Sequence, residues 1–136
     1  MSTDTKKKEE KKEEFWVTIP VKFTKQRVWD LLCCGMEGGY GSFTIINYEP
    51  ENIRDNPACE YPHIDTPFLG GTILMKDKYG DSEKVYRLDK EALARGLTVM
   101  GEKYPSHMAN FMEENDDAIT GDVFIQCALL GDIIYG

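Results

Sequence analysis

Four arginines stand out in this chain of 136 residues because the chain is acidic, with a formal net charge of −8: Arg27, Arg54, Arg87 and Arg95. A guanidinium is a planar, forked donor matched to carboxylates and phosphates. Arg27 falls in the expected first turn of a helix, where free backbone amides already favour an anion. Arg95 lies two positions from Leu93 and Leu97, off the apolar stripe of a later helix. The glycine run Met36-Glu37-Gly38-Gly39-Tyr40-Gly41-Ser42-Phe43 follows the first helix, and two rings sit in it. Gly38 or Gly39 can stop that helix, and their bare backbone can also let a flat ligand approach. Phe43, Tyr40 or Phe68 offers a face on which a base could stack, worth about 1–3 kcal/mol. The run is neither GxGxxG nor a phosphate loop, since no lysine follows the glycines.

The other reactive side chains form no catalytic pattern. His63 and His107 are the two histidines, and neither has a nearby Ser or Cys in a nucleophile elbow. The four cysteines, Cys33, Cys34, Cys59 and Cys127, contain no CxxC. They read as reduced, mostly buried thiols of a cytoplasmic protein rather than a zinc or disulfide framework. The acidic run Glu113-Glu114-Asn115-Asp116-Asp117 with Asp122 lacks the ligand spacing and central glycine of a calcium loop. No metal and no cofactor are expected.

The elements that must position these groups follow from periodicity. Met1–Glu14 holds five lysines and five acids, so the tail is neutral and too polar to bury; residues 1–14 are expected to be disordered. Residues 15–136 form the single domain and carry the whole net charge of −8. That charge argues against binding DNA, which needs a basic face. No apolar run approaches the ~18 residues of a membrane span, and no signal-peptide core is seen. Phe15–Phe23 reads as an edge strand with Pro20 in it. Thr24 suits the cap of a helix bearing Val28, Leu31, Leu32, Gly35 and Met36. Phe43–Tyr48 is a β-branched strand. Glu49–Phe68, with four prolines, reads as a long connection of functional or mobile character. Gly71–Lys76 and Glu83–Leu88 suggest a hairpin. Asp89 caps a helix, Pro105 starts a short one, and Thr120 is expected to cap a last helix ended by Gly131. Strands followed by helices predict an α+β fold, with a small antiparallel or mixed sheet and helices packed on one face.

Several stretches together resemble a known family. They are Val17-Thr18-Ile19-Pro20-Val21, Lys25-Gln26-Arg27-Val28-Trp29-Asp30-Leu31-Leu32-Cys33, Glu37-Gly38-Gly39, Tyr61-Pro62-His63 and Gly70-Gly71. Further on come Arg87-Leu88-Asp89, Arg95-Gly96-Leu97, Lys103-Tyr104-Pro105, Glu114-Asn115-Asp116-Asp117-Ala118, Gly121-Asp122-Val123-Phe124 and Gly131-Asp132-Ile133-Ile134-Tyr135-Gly136. The combination resembles a small phage and prophage family that includes the first type of Thoeris anti-defence protein. The resemblance implies a sponge, not an enzyme. Such a protein binds a cyclic ADP-ribose isomer made by host TIR-domain enzymes and leaves it intact, in the cytoplasm of an infected or lysogenic bacterium. It also implies a homo-oligomer, dimer or higher, and cyclic oligonucleotides as further ligands at a separate site. Arg27 and Arg95 lie in matching segments and carry over as ligand-binding residues, with Gly38, Gly39, Phe43 and Phe68 around them. Relatives carry an Asn-Tyr-Trp-like run after the glycines where this chain has Gly41-Ser42-Phe43, which puts the base contacts in question. The alternative is an acidic phage accessory protein that inhibits a host protein by direct binding.

Overall fold

A computed structural model describes residues 13–38, 41–80 and 83–136; residues 1–12, Gly39, Tyr40, Asp81 and Ser82 lie outside it. The element order is α1 (Lys25–Glu37), β1 (Phe43–Glu49), α2 (Pro62–Asp65), β2 (Thr72–Asp77), β3 (Tyr86–Leu88), α3 (Lys90–Lys103), α4 (Pro105–Met112) and α5 (Ala118–Leu130). The strands form one antiparallel sheet in the order β1-β2-β3. The fold is α+β, as the order of elements predicts.

Helix α5 lies at the centre. Val123, Phe124, Ile125, Gln126, Cys127 and Ala128 are all buried in succession, so this helix is enclosed on every side rather than half-exposed. It packs against α1 on one flank and α3 on another. Two glycines let α1 come close. A Cβ on Gly121 would lie 2.2 Å from Gly35 N and 2.7 Å from Cys34 C, well inside the 3.5–4.0 Å at which carbon atoms rest. Asp117 caps α5 by accepting from Thr120 N at 2.9 Å. The cap is therefore three residues earlier than the sequence suggested, and Thr120 is buried in the first turn. Thr24 and Asp89 cap α1 and α3 as expected, accepting from Arg27 N and Ala92 N.

The sheet turns Phe43, Ile73, Met75 and Leu88 into the core, while Thr44, Ile46 and Arg87 face outward. A bulge between Ile45 and Asn47 shifts the alternation of β1, so Tyr48 packs against the core. Two expectations are corrected. Residues 15–22 are exposed and pair with no strand among the described residues; their strand-like alternation lacks a ladder here. The connection 49–68 is not structureless. It folds into two 3₁₀ turns, Ile53–Asp55 and Thr66–Leu69, with α2 between them. Buried Ile53, Ile64, Thr66 and Pro67 hold it down.

The C-terminal segment is clasped by one side chain. Gln126 is fully buried. Its amide nitrogen donates to Asp122 Oδ2 and Tyr135 O, and its oxygen accepts from Ile134 N and Tyr135 N, all at 2.8–2.9 Å. Tyr135 in turn donates to Asp77 Oδ2 at 2.6 Å, which ties the chain end to the β2–β3 turn.

Candidate functional site

Two hollows on the surface hold the two predicted arginines, one in each. The first, of about 400 Å3, lies between β3 and α3. Lys84, Tyr86, Arg87 and Arg95 line it, with Asp89, Glu91, Val85 and Leu129. Its size falls within the ~300–1,000 Å3 of small-molecule sites. Arg95 reaches across from α3 and donates through Nε and Nη2 to Ala128 O, at 3.2 and 3.0 Å. That carbonyl is one of the last four of α5, which lack an intrahelical partner. The bond fixes the guanidinium and leaves Nη1 without a protein partner among the described residues. Lys84 Nζ stands 4.8 Å from the centroid of the Tyr86 ring. Arg87 makes a forked pair with Glu49 at 2.9 and 3.1 Å, and both partners are half-exposed. Asp89 is occupied as the α3 cap. With Glu49 paired to Arg87, the three cations Lys84, Arg87 and Arg95 meet three carboxylates, Glu49, Asp89 and Glu91, so the hollow is balanced in charge inside an acidic domain.

Of the rings the sequence offers for stacking, Phe43, Tyr40 and Phe68, the structure places Phe43 one layer beneath the hollow. Phe43 is buried and meets Tyr86 edge-on, with centroids 5.5 Å apart and planes at 79°. It braces Tyr86, whose ring lines the hollow. Tyr86 was not anticipated, although Lys84-Val85-Tyr86-Arg87 interleaves bases with a ring.

The second hollow, about 390 Å3, is lined by Lys22, Phe23, Arg27, Phe111, Glu113 and Glu114, among others. Here Arg27 is fully engaged. Its Nη2 donates to Asp116 Oδ1 at 2.7 Å and to Phe111 O at 2.9 Å. Asp30 and Glu114 lie 3.4 and 3.8 Å from its other nitrogens, and its Cζ sits 4.9 Å from the Phe111 ring centroid. The hydrogen bond that Arg27 donates to Asp116 raises the guanidinium pKa further, against a lowering by burial. An incoming phosphate would have to displace carboxylates from Arg27, and Asp116 is almost fully buried. The structure does not bring Arg27 and Arg95 together within one chain: one ties α1 to the α4–α5 loop, the other ties α3 to the end of α5.

The remaining predicted residues are dispersed. A Cβ on Gly38 would lie 2.3 Å from Ala118 Cβ, so α5 fills the space that a base was expected to use. Gly38 has ordinary right-handed backbone angles; its glycine serves close packing, not a left-handed stop. Phe68 is half-buried, 6.0 Å from Lys25 Nζ, and lines neither hollow. Gly39 and Tyr40 lie outside the described residues.

A third group brings Cys33, Glu37 and His63 together. Cys33 Sγ donates to Glu37 Oε2 at 3.2 Å, and His63 Nε2 lies 2.9 Å from Glu37 Oε1. The carboxylate stands between thiol and imidazole, so the ring cannot take the thiol proton directly. Burial first, and Glu37 second, push the Cys33 thiol up to about 11, which keeps it protonated and a poor nucleophile. Among the described residues no group of three or more His, Cys, Asp or Glu is placed to hold a metal ion, and no helix is long and apolar enough to cross a membrane. No protein-family model, no curated protein and no solved structure matches this chain.

Proposed function

We propose that this chain is a phage or prophage anti-defence protein that binds a TIR-generated cyclic ADP-ribose isomer and keeps it from its receptor without cleaving it. The family resemblance supplies the ligand class. The observation that carries the reading is the hollow lined by Lys84, Tyr86 and Arg95, with Lys84 Nζ 4.8 Å from the Tyr86 ring centroid. A cyclic ADP-ribose isomer presents a base and two linked phosphates. Tyr86, braced by Phe43, would take the base. The unused donor of Arg95 and the Lys84 ammonium would take the phosphates through charge-assisted bonds. Arg95 is already oriented by Ala128 O, so little ordering is needed on binding. The mechanism is equilibrium sequestration in the cytoplasm of the infected or lysogenic host, with one signal withdrawn per occupied site and no turnover. Homo-oligomers, and cyclic oligonucleotides at a separate site, belong to the same reading. The acidic rival is less favoured, because Asp116 and Asp117 of the acidic run are occupied by Arg27 and by the α5 cap.

Calorimetric titration with cyclic ADP-ribose isomers tests this. Arg95→Ala and Lys84→Ala should each weaken binding about ten- to hundredfold, the cost of a lost bond to a charged group, ~1.5–3 kcal/mol. Both should still melt cooperatively. No heat with any isomer, or parent affinity in both variants, overturns the reading. Arg27→Ala joins the series: lost affinity in a folded protein would bring the second hollow into the site.

A further inference from the structure

The stretch Phe15–Val21 is an exposed apolar run that pairs with no strand among the described residues. Phe15 and Trp16 are 86% and 84% exposed, Val17 and Ile19 are 73% and 70% exposed, and Val21 is half-exposed. Single exposed apolar residues are ordinary, but a contiguous set marks a contact surface. Paired as a strand, the set would place Phe15, Val17, Ile19 and Val21 on one side and Trp16, Thr18 and Pro20 on the other. Its root is fixed: the Phe23 ring lies 4.6 Å from that of Phe111, and Thr24 caps α1. The arm therefore leaves the body at a set point.

We propose that this arm is a strand received by a second copy of the chain, laid along the outer edge of the partner's β1, and that two copies exchange arms reciprocally. β1 is an edge strand of the sheet, and a sheet edge leaves backbone groups open to a further strand, apart from the Tyr48 amide, which donates to Asn47 Oδ1 at 2.8 Å. Its seven residues match the seven of the arm, each spanning about 23 Å. The other open edge, β3, has three. β1 also exposes Ile46, an apolar contact for the incoming side chains. The arm would become the new sheet edge, where Pro20, lacking an N–H, is tolerated. Its exposed side chains carry roughly 600 Å2, taking an aromatic at ~150–250 Å2. Two arms with the surfaces they cover then remove up to about 2,400 Å2, which reaches the size of a stable interface. Reciprocal exchange closes with two-fold symmetry and leaves no arm free. The inference is independent of the ligand hollow and stands or falls separately.

The test is native mass measurement of the full chain and of the double variant Val17→Asp/Ile19→Asp at about 10 μM chain, where an interface of this size is populated. Amide hydrogen exchange is followed over β1 in both. The parent should be a dimer or a multiple of dimers, with β1 amides protected. The variant should be a monomer with an unchanged cooperative melt and faster exchange in β1. A monomeric parent overturns the proposal, whether its arm exchanges freely or is protected by its own sheet. So does a variant that assembles as tightly as the parent, or a dimer whose β1 amides do not respond to loss of the arm.

Discussion

Gly121→Ala should destabilise the protein, although alanine is the better helix former. The substitution sits at the crossing of α1 and α5. The new Cβ would lie 2.2 Å from Gly35 N, 2.6 Å from Gly35 Cα and 2.7 Å from Cys34 C. All three are backbone atoms, so no side chain can turn away. To restore ordinary contact, α1 must retreat by about 1 Å, and a gap of that size forfeits a quarter to a half of each contact across the interface. Overpacking costs about 1–3 kcal/mol, and with only backbone to move the cost here is about 2–3 kcal/mol; the gain of ~1 kcal/mol from glycine to alanine in a helix leaves a net loss of about 1–2 kcal/mol. For a domain of this length 1 kcal/mol moves Tm by roughly 4 °C, so a fall of about 4–8 °C is expected. The control is Gly101→Ala on α3. Its Cβ would meet only Met108 Cε, at 3.4 Å, so the same chemical change should raise Tm slightly. Thermal melts by circular dichroism on both variants decide it. A Gly121→Ala protein as stable as the parent would refute the close crossing, and with it the packing that brings Arg27 to Asp116.

Three further outcomes follow from the same contacts. Burial works against the Asp65 and Asp77 carboxylates, but amide donors, the Trp29 indole and the Tyr135 hydroxyl outweigh it and hold both below the usual range; Asp117 is held low first by the Thr120 amide. Depressed carboxylates contribute stability above about pH 4 that is lost as pH falls through their folded values. Tm should therefore be flat between pH 5 and 7 and drop below about pH 4, and Asp65→Asn should make that drop shallower. Gln126→Leu removes all four bonds of the clasp and should cost roughly 2–4 kcal/mol in urea unfolding, with faster exchange at Ile134 and Tyr135. Cys33 and Cys127, both pushed up to about 11, should alkylate with iodoacetamide more slowly at pH 8 than the same thiols in urea; parity between the two would contradict the burial.

Much of the architecture was legible locally. The spacing of Val28, Leu31, Leu32 and Gly35, the caps Thr24 and Asp89, Pro105 at a helix start and Gly131 at a helix end all act within a few residues, and all are in place. The Phe15–Phe23 arm misled because alternation reports a tendency to pair, not the presence of a partner. Asp117 displaced Thr120 as a cap because both are good caps three residues apart, and burial of Thr120 decides between them. The site was less legible. Nothing in one element says that Arg27 meets Asp116, 89 positions away, or that Arg95 meets Ala128, 33 positions away. Phe43 and Tyr86 both look like stacking rings; only the pairing of β1 and β3 with β2 shows which lies beneath.

The most direct test of the account is the fate of the ligand. The parent protein is incubated with a cyclic ADP-ribose isomer, its bound mass is read under native conditions, and the complex is heated to release the ligand. The account predicts one ligand per chain, released at unchanged mass and bound more weakly after Arg95→Ala. An absence of bound ligand, or release of a linear or hydrolysed nucleotide, would contradict it.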